Sequence, residues 1–222
     1  MTSILAPIPF QWLARCDYKS TLLQLKHQAS MLADTGHGEI IWTCEHHAVY
    51  TTGRRAMDNR IQHKLPAPLL ITDRGGETTY HGPGQIMLYP IIHVRQRGLS
   101  VRQYIHILEQ SAINLLASLG IQACRQTRMP GVWVPEGKIA AIGIRIARGV
   151  AYHGMALNIC VDMSYFDAIN PCGLGKKAAN LQHDGTPKTD LSELALAWSR
   201  SLNACIDEAA ESKHAILGSF TK

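Results

Sequence analysis

Apolar positions along the chain follow two periods, and the switches between them outline a fold. Leu22, Leu25, Ala29 and Leu32 recur at helical spacing until Gly36 stops the pattern, as expected of an amphipathic helix ending where the backbone can turn left-handed. The runs "EIIWTC", "AVYTT" and "LLIT" that follow are rich in β-branched and aromatic residues between turn-forming stretches, and read as strands. "QIMLYPIIHV", residues 85–94, reads as a longer, largely buried strand. A second helix opens at Ser100, whose spacing to Gln103 makes a capping box, and runs through Ile105, Leu108, Ala112, Leu115 and Leu119 to Gly120.

"IQACR" and "GVWV" then lead into "KIAAIGIRIA" and "VAYHGMALNIC", two strands joined at Arg148-Gly149 as a hairpin. A loop from about Asp162 to Lys188 precedes a last helix, which starts at Asp190, has Glu193 three residues on, and continues through Leu194, Trp198, Leu202 and Ile206. This order predicts an α+β fold with a mixed, mostly antiparallel sheet flanked by helices, not a doubly wound one. Composition shifts within residues 170–185, which predicts a sheet-rich large lobe, residues 1–175, and a small, mainly helical C-terminal lobe, residues 176–222.

A chain of 222 residues, 46% hydrophobic and 18% charged, can bury one sizeable core and does not have the composition of a disordered protein. The net charge is +5, yet the basic residues are scattered singly or in pairs such as Arg54-Arg55 and Lys176-Lys177. A nucleic-acid partner, which calls for a clustered basic stripe, is therefore not expected, whereas an acidic protein partner is compatible. Cys16, Cys44, Cys124, Cys160, Cys172 and Cys205 form no C-x-x-C pair and no tight cluster, which predicts reduced thiols in a cytoplasmic setting rather than a disulfide framework or a zinc knuckle. The start "MTSILAPIPFQWLAR" lacks a basic segment followed by a long apolar core, and no run of about 18 uncharged apolar residues exists. Neither secretion nor a membrane span is expected.

Four stretches carry candidate chemistry. "RGGETTYHGPGQ", residues 74–85, is too glycine-rich for an ordinary strand; such a backbone admits a ligand closely and offers amides to an oxyanion or phosphate, or else simply turns twice. It matches neither the P-loop spacing nor an unbroken G-x-G-x-x-G. His81 within it reads as a metal ligand, a base or a brace. Metal is disfavoured because no second His or Cys stands beside it at ligand spacing, and in "CEHHAVY" neighbouring side chains on a strand point to opposite faces. Lys138 shares alternating parity with Ala140, Ile142, Ile144 and Ile146, which predicts an ammonium turned toward an apolar face, suited to act as a base, or one snorkelling from a strand edge. Cys172, in "INPCGLGKK", is presented by a Pro- and Gly-flanked loop and so reads as a nucleophile or an incidental thiol.

Taken in order, "EHHAVYTTGRR", "RGGETTYHGPGQIMLYPI", "GKIAAIGIRI", "YHGMALNI" and "NPCGL" resemble the lipoyl(octanoyl) transferase family. In the first of them His47-Ala48 stands where that family more usually has a proline. The resemblance implies a fold like the catalytic module of lipoate and biotin protein ligases, with Cys172 as nucleophile and Lys138 as its base. It implies a pocket lined by Arg74, Gly75, Gly76, Glu77, Thr78, Thr79, Tyr80 and His81, by Ala141, Ile142 and Gly143, and by Gly154, Met155 and Ala156. It further implies octanoyl-acyl carrier protein as donor, and lipoyl domains of 2-oxoacid dehydrogenase complexes and the glycine cleavage H protein as acceptors, with no cofactor and no metal. An ATP-dependent lipoate or biotin ligase and a non-catalytic acyl-binding module are the competing readings.

Overall fold

The structure, a computed structural model, describes residues 6–53, 65–169, 177–182 and 190–219, with side chains described through residue 212. Its elements are β1 (Phe10–Cys16), α1 (Tyr18–Thr35), β2 (Ile40–His46), β3 (Val49–Gly53), β4 (Leu69–Thr72), β5 (Thr79–His81), β6 (Gln85–Ile91), α2 (Val101–Ser118), β7 (Cys124–Gln126), β8 (Met129–Val134), β9 (Gly137–Ala147), β10 (Val150–Asn158), α3 (Ser164–Asp167) and α4 (Leu191–Ser219). Seven strands form one sheet in the order β1-β2-β6-β10-β9-β8-β7, and β4-β3-β5 form a second. The large sheet is mixed as predicted: β1 runs parallel to β2, and its other neighbouring strands are antiparallel.

Local chemistry sets the helix ends. Asp17 caps α1 by accepting from the Ser20 amide at 2.8 Å, and Gly36, at φ 73°, closes it with its amide on the Leu32 carbonyl at 2.8 Å. Ser100 and Gln103 make the predicted capping box of α2. The buried face of α2 is offset from the predicted one: Tyr104, Ile107, Leu108, Ala112, Leu115 and Leu116 are inside, whereas Leu119 is exposed beyond the last turn.

The sheet lies between two helical layers. Ile86 and Leu88 of β6 join the main cluster with α2 and α4, while Met87, Tyr89 and Ile91 join a second one with α1. A strand covered on both faces needs apolar residues at both parities, hence the unbroken apolar run of residues 86–92. Leu194, Ala195, Trp198, Leu202, Cys205 and Ile206 of α4 belong to that main cluster, and the Trp198 indole donates to Ser111 Oγ at 3.0 Å. The C-terminal helix thus packs on the same core as α2. A third cluster joins Tyr50 and Tyr80 of the small sheet to Phe166 of α3. That single turn interrupts the loop expected from Asp162 onward, and four residues are too few to show a helical period. No described helix is long and apolar enough to cross a membrane.

Candidate active site

The hairpin of β9 and β10 is the floor on which the site is built. Arg148 and Gly149 both have positive φ, 53° and 84°, as a two-residue turn matched to strand twist requires. Across it Gly143 pairs with Gly154 and Ala141 with Ala156, leaving a stretch of floor almost bare of side chains. Other backbones come close there: a Cβ on Gly154 would lie 2.0 Å from the Leu88 carbonyl oxygen, and one on Gly143 would lie 2.9 Å from that of Gly75. The Gly-rich turn is therefore laid directly over β9, with the Gly75 amide donating to the Ile144 carbonyl at 3.0 Å. That amide is not free to hold an anion.

Arg74 is enclosed by this turn. Its guanidinium donates to the Thr51 carbonyl at 2.6 Å, to Thr51 Oγ1 at 2.8 Å, and to the carbonyls of Gly75 and Glu77 at 3.0 and 2.9 Å. Five donors in a rigid fork suit a buried loop rich in carbonyls. From Thr51 the hydrogen bonds continue in one direction. Thr51 Oγ1 donates to His81 Nε2 at 3.1 Å, His81 Nδ1 to Gln85 Oε1 at 2.8 Å, Gln85 Nε2 to Asn158 Oδ1 at 2.8 Å, and Asn158 Nδ2 to the Ala179 carbonyl at 3.0 Å. Both ring nitrogens of His81 are thereby used, which is the geometry of a brace. Burial, then Arg74 and His46, hold its pKa well below the usual histidine value.

Between the turn, the hairpin and the start of β9 lies a cavity of about 400 Å³, a size typical of small-molecule sites. Twelve of the fourteen predicted pocket residues line it: Arg74, Gly75, Gly76, Glu77, Thr79 and His81 from the turn and β5, Ala141, Ile142 and Gly143 from β9, and Gly154, Met155 and Ala156 from β10. Thr78 and Tyr80 do not. Strand alternation turns Tyr80 into the third cluster, where it stacks on Tyr165 at 4.4 Å, and Thr78 Oγ1 donates instead to Thr52 Oγ1 at 3.0 Å. Tyr18, Met87, Tyr89, Trp133 and His153 also line the cavity; Met87, Tyr89 and His153 lie within the quoted motifs, whereas the sequence around Tyr18 and Trp133 carries no ligand signal.

Lys138 stands at the rim of this cavity, and of its two expected placements, toward the apolar face or out from the strand edge, the structure is nearer the second. Val132 pairs with Ala140 but Trp133 with Lys138, so β9 carries an extra residue at Ile139. This β-bulge interrupts the alternation. Ile139 and Ala140 are both buried in the main cluster, while Lys138 is partly exposed, with Nζ 4.8 Å from the Trp133 ring centroid and donating to the Pro130 carbonyl at 3.0 Å. Its main chain is clamped by the segment after the N-P-C-G motif: Lys138 N–H donates to the Lys177 carbonyl at 3.0 Å, and Ala179 N–H to the Lys138 carbonyl at 2.9 Å. Cys172 itself lies outside the described residues.

Residues 20–202 match the family model for the lipoyl protein ligase A/B catalytic domain. The chain belongs to this family. An octanoyltransferase of Halorhodospira halophila is 41% identical over 175 residues, covering 78% of this chain and 81% of that protein. In fold, the chain is similar to the bipartite lipoate protein ligase of Thermoplasma acidophilum, described together with its E2 lipoyl domain, at a TM-score of 0.66, with 14% identity, 93% of this chain and 91% of that one covered. A biotin protein ligase of Aquifex aeolicus follows at 0.54, with 11% identity and 92% and 71% covered.

Two further groups in this lipoyl protein ligase A/B domain were not legible as clusters in the sequence. Tyr152 and His153 are consecutive on β10, yet both donate to Asp73, from the hydroxyl to Oδ2 at 2.6 Å and from Nε2 to Oδ1 at 3.0 Å. Neighbouring strand residues ordinarily face apart; here His153 has φ 59°. Burial opposes ionisation of Asp73, but the bonds from His153 and Tyr152, with the charge of Lys26, hold its carboxyl well below the usual range. Burial lowers the pKa of His153.

The second group corrects two expectations, that the cysteines do not cluster and that "CEHHAVY" offers no shared face. Cys44 and His46 are two apart on β2 and so share one, and the parallel pairing sets Cys16 of β1 opposite His46. The thiol sulfurs and a ring nitrogen lie within 4.8 Å of one another.

Proposed function

We propose that the chain carries an octanoyl group from octanoyl-acyl carrier protein to a lysine of lipoyl domains, by way of a thioester on Cys172. Membership of the lipoyl protein ligase A/B family, and likeness to a named octanoyltransferase over most of both chains, make it an acyltransferase of protein lipoylation. The observation that carries the reading of its chemistry is Lys138: an amine at the rim of a mainly apolar cavity, clamped by backbone that begins five residues after Cys172.

In this reading Lys138 takes the Cys172 proton and the thiolate attacks the thioester carbonyl of the donor, whose carrier thiol leaves. The lysine amine of the acceptor then attacks the acyl-enzyme, Cys172 leaves as a thiol, and the product is an amide. The tail rests on the bare floor of Ala141, Gly143, Gly154 and Ala156, where each buried CH₂ contributes about 0.8 kcal/mol. The 2-oxoacid dehydrogenase complexes and the glycine cleavage H protein supply the acceptor domains, in the cytoplasm. The charge of +5 favours encounter with an acidic carrier protein.

The test omits ATP. With octanoyl-acyl carrier protein alone, intact mass is expected to show an octanoyl adduct removed by hydroxylamine, and addition of a lipoyl domain is expected to discharge it. Cys172→Ser protein is expected to form no such adduct. Acylation of the lipoyl domain only when ATP is added would establish a ligase instead, and an unchanged adduct on Cys172→Ser would overturn the assignment of the nucleophile.

A further inference from the structure

Cys16, Cys44 and His46 do not line the cavity, and the two sulfurs of this cluster differ in setting. Cys44 is fully buried, whereas Cys16, the last residue of β1, is partly exposed. Thr21 Oγ1 donates to Cys16 Sγ at 3.2 Å, and His46 Nδ1 stands 3.6 Å from it. Hydrogen bonding from the Cys44 thiol, together with His46 and Thr21, outweighs burial and pulls the Cys16 thiol down to about 4, while burial pushes Cys44 far up. Cys16 is thus the more accessible and the more readily ionised of the two sulfurs.

A metal ion is a poor occupant of this cluster. Both nitrogens of His46 are already engaged, Nδ1 donating to the Cys16 carbonyl at 3.0 Å and Nε2 accepting from the Tyr89 hydroxyl at 2.8 Å. A cation would have to break one of these. A bond between the sulfurs breaks neither directly, and Cys16 closes β1 just beyond an irregularity of its pairing, where the register shifts between Trp12 and Arg15 and Ala14 has φ 55°.

We propose that Cys16 and Cys44 form a peroxide-oxidisable pair, Cys16 being oxidised first and Cys44 resolving it as an intrachain disulfide behind the pocket wall. The Cys16 thiolate attacks a hydroperoxide; an S–O bond forms, the O–O bond breaks, and the leaving oxygen departs as hydroxide or alkoxide and picks up a proton from water. The Cys44 sulfur then attacks Cys16; the S–S bond forms, the S–O bond breaks, and the departing hydroxide takes the Cys44 proton as water. The two thiols lose two electrons and the peroxide gains them. Tyr18 transmits the change. It is two residues from Cys16, sits edge-on to His46 at 4.9 Å, stacks on His81 at 5.6 Å and lines the cavity. Closing the pair draws Cys16 away from Thr21 and shifts that wall, lowering acyl transfer until the bond is reduced.

The experiment treats the reduced full-length protein with hydrogen peroxide, blocks remaining thiols and maps peptides by mass. The expected product is a Cys16–Cys44 cross-linked peptide, formed about tenfold faster than oxidation of the exposed Cys124 and reversed by dithiothreitol. In Cys44→Ser protein, which keeps an O–H donor beside Cys16 but cannot form the disulfide, Cys16 is expected to persist as a sulfenic acid that dimedone traps. The wild-type map decides even where that variant does not fold. Recovery of Cys16 and Cys44 as free thiols at doses that oxidise Cys124 would overturn the proposal, as would stoichiometric zinc that shields both from peroxide. The mapping does not depend on acyl transfer, so it can fail or succeed whatever the outcome with octanoyl-acyl carrier protein.

Discussion

The Gly75 amide donates to the Ile144 carbonyl at 3.0 Å, and this bond explains the bareness of the glycine-rich stretch better than any phosphate would. Two backbones meet there. A Cβ on Gly143 would lie 2.9 Å from the Gly75 oxygen and 3.1 Å from Arg74 Cδ, so glycine permits the contact and the turn becomes a wall of the cavity.

Gly143→Ala therefore strains a backbone neighbour rather than a flexible side-chain tip. The expected result is a loss of about 1–3 kcal/mol in urea unfolding, together with a KM for the acyl donor raised by about tenfold if the displaced wall narrows the pocket by a comparable energy. A wild-type KM would show that the turn does not bound the acyl site.

Lys138→Ala separates stability from chemistry. The lysine is partly exposed, and among the described residues its Nζ donates to the Pro130 carbonyl and lies over the Trp133 ring, so unfolding free energy is expected to change by at most about 1 kcal/mol. Acylation near neutral pH is expected to fall by about 10²- to 10⁴-fold, the range for loss of a positioned base. Wild-type rates in this variant would show that another group takes the proton.

Gly154→Ala strikes the centre of the sheet. Its Cβ would sit 2.0 Å from the Leu88 oxygen and 2.9 Å from Pro90 Cδ, where β6 and β10 pair. The two strands cannot separate without opening both apolar layers. A loss of more than about 4 kcal/mol is expected, read as insoluble expression or an unfolding midpoint far below wild type.

Stability is expected to fall on the acid side of pH 6.5. His81 and His153 have folded pKa values lowered by burial; below the unfolded value of about 6.5 the unfolded chain binds protons that the folded chain refuses. Unfolding then gains protons, and stability drops by up to about 1.4 kcal/mol per pH unit for each histidine until its folded pKa is reached. Asp73, whose folded pKa is lowered, adds a further loss only as pH falls below the ordinary carboxylate value. Urea unfolding from pH 7 to 5 should show the slope, and His81→Gln should flatten it; equal slopes in the two proteins would remove His81 from the account.

Local signals in the sequence determined most of the elements. Ser100 and Gln103 announced the start of α2, Arg148-Gly149 the hairpin, and the apolar run from Gln85 a strand covered on both faces, because caps, turns and alternation act over a few residues. Ordered short motifs likewise marked the family, and with it twelve residues that line one cavity. What only the tertiary structure decided depends on partners distant in the chain. The extra residue at Ile139 is defined by its pairing with β8, so strand parity alone left open whether Lys138 turns to the apolar face or out from the strand edge. Thr78 and Tyr80 turn away from the cavity because the small sheet gives them another core. Arg74 is enclosed by carbonyls as far off as Thr51, and Cys16 meets Cys44 only because β1 lies parallel to β2. Sequence periodicity reports which side of an element is apolar; pairing and register determine what that side touches.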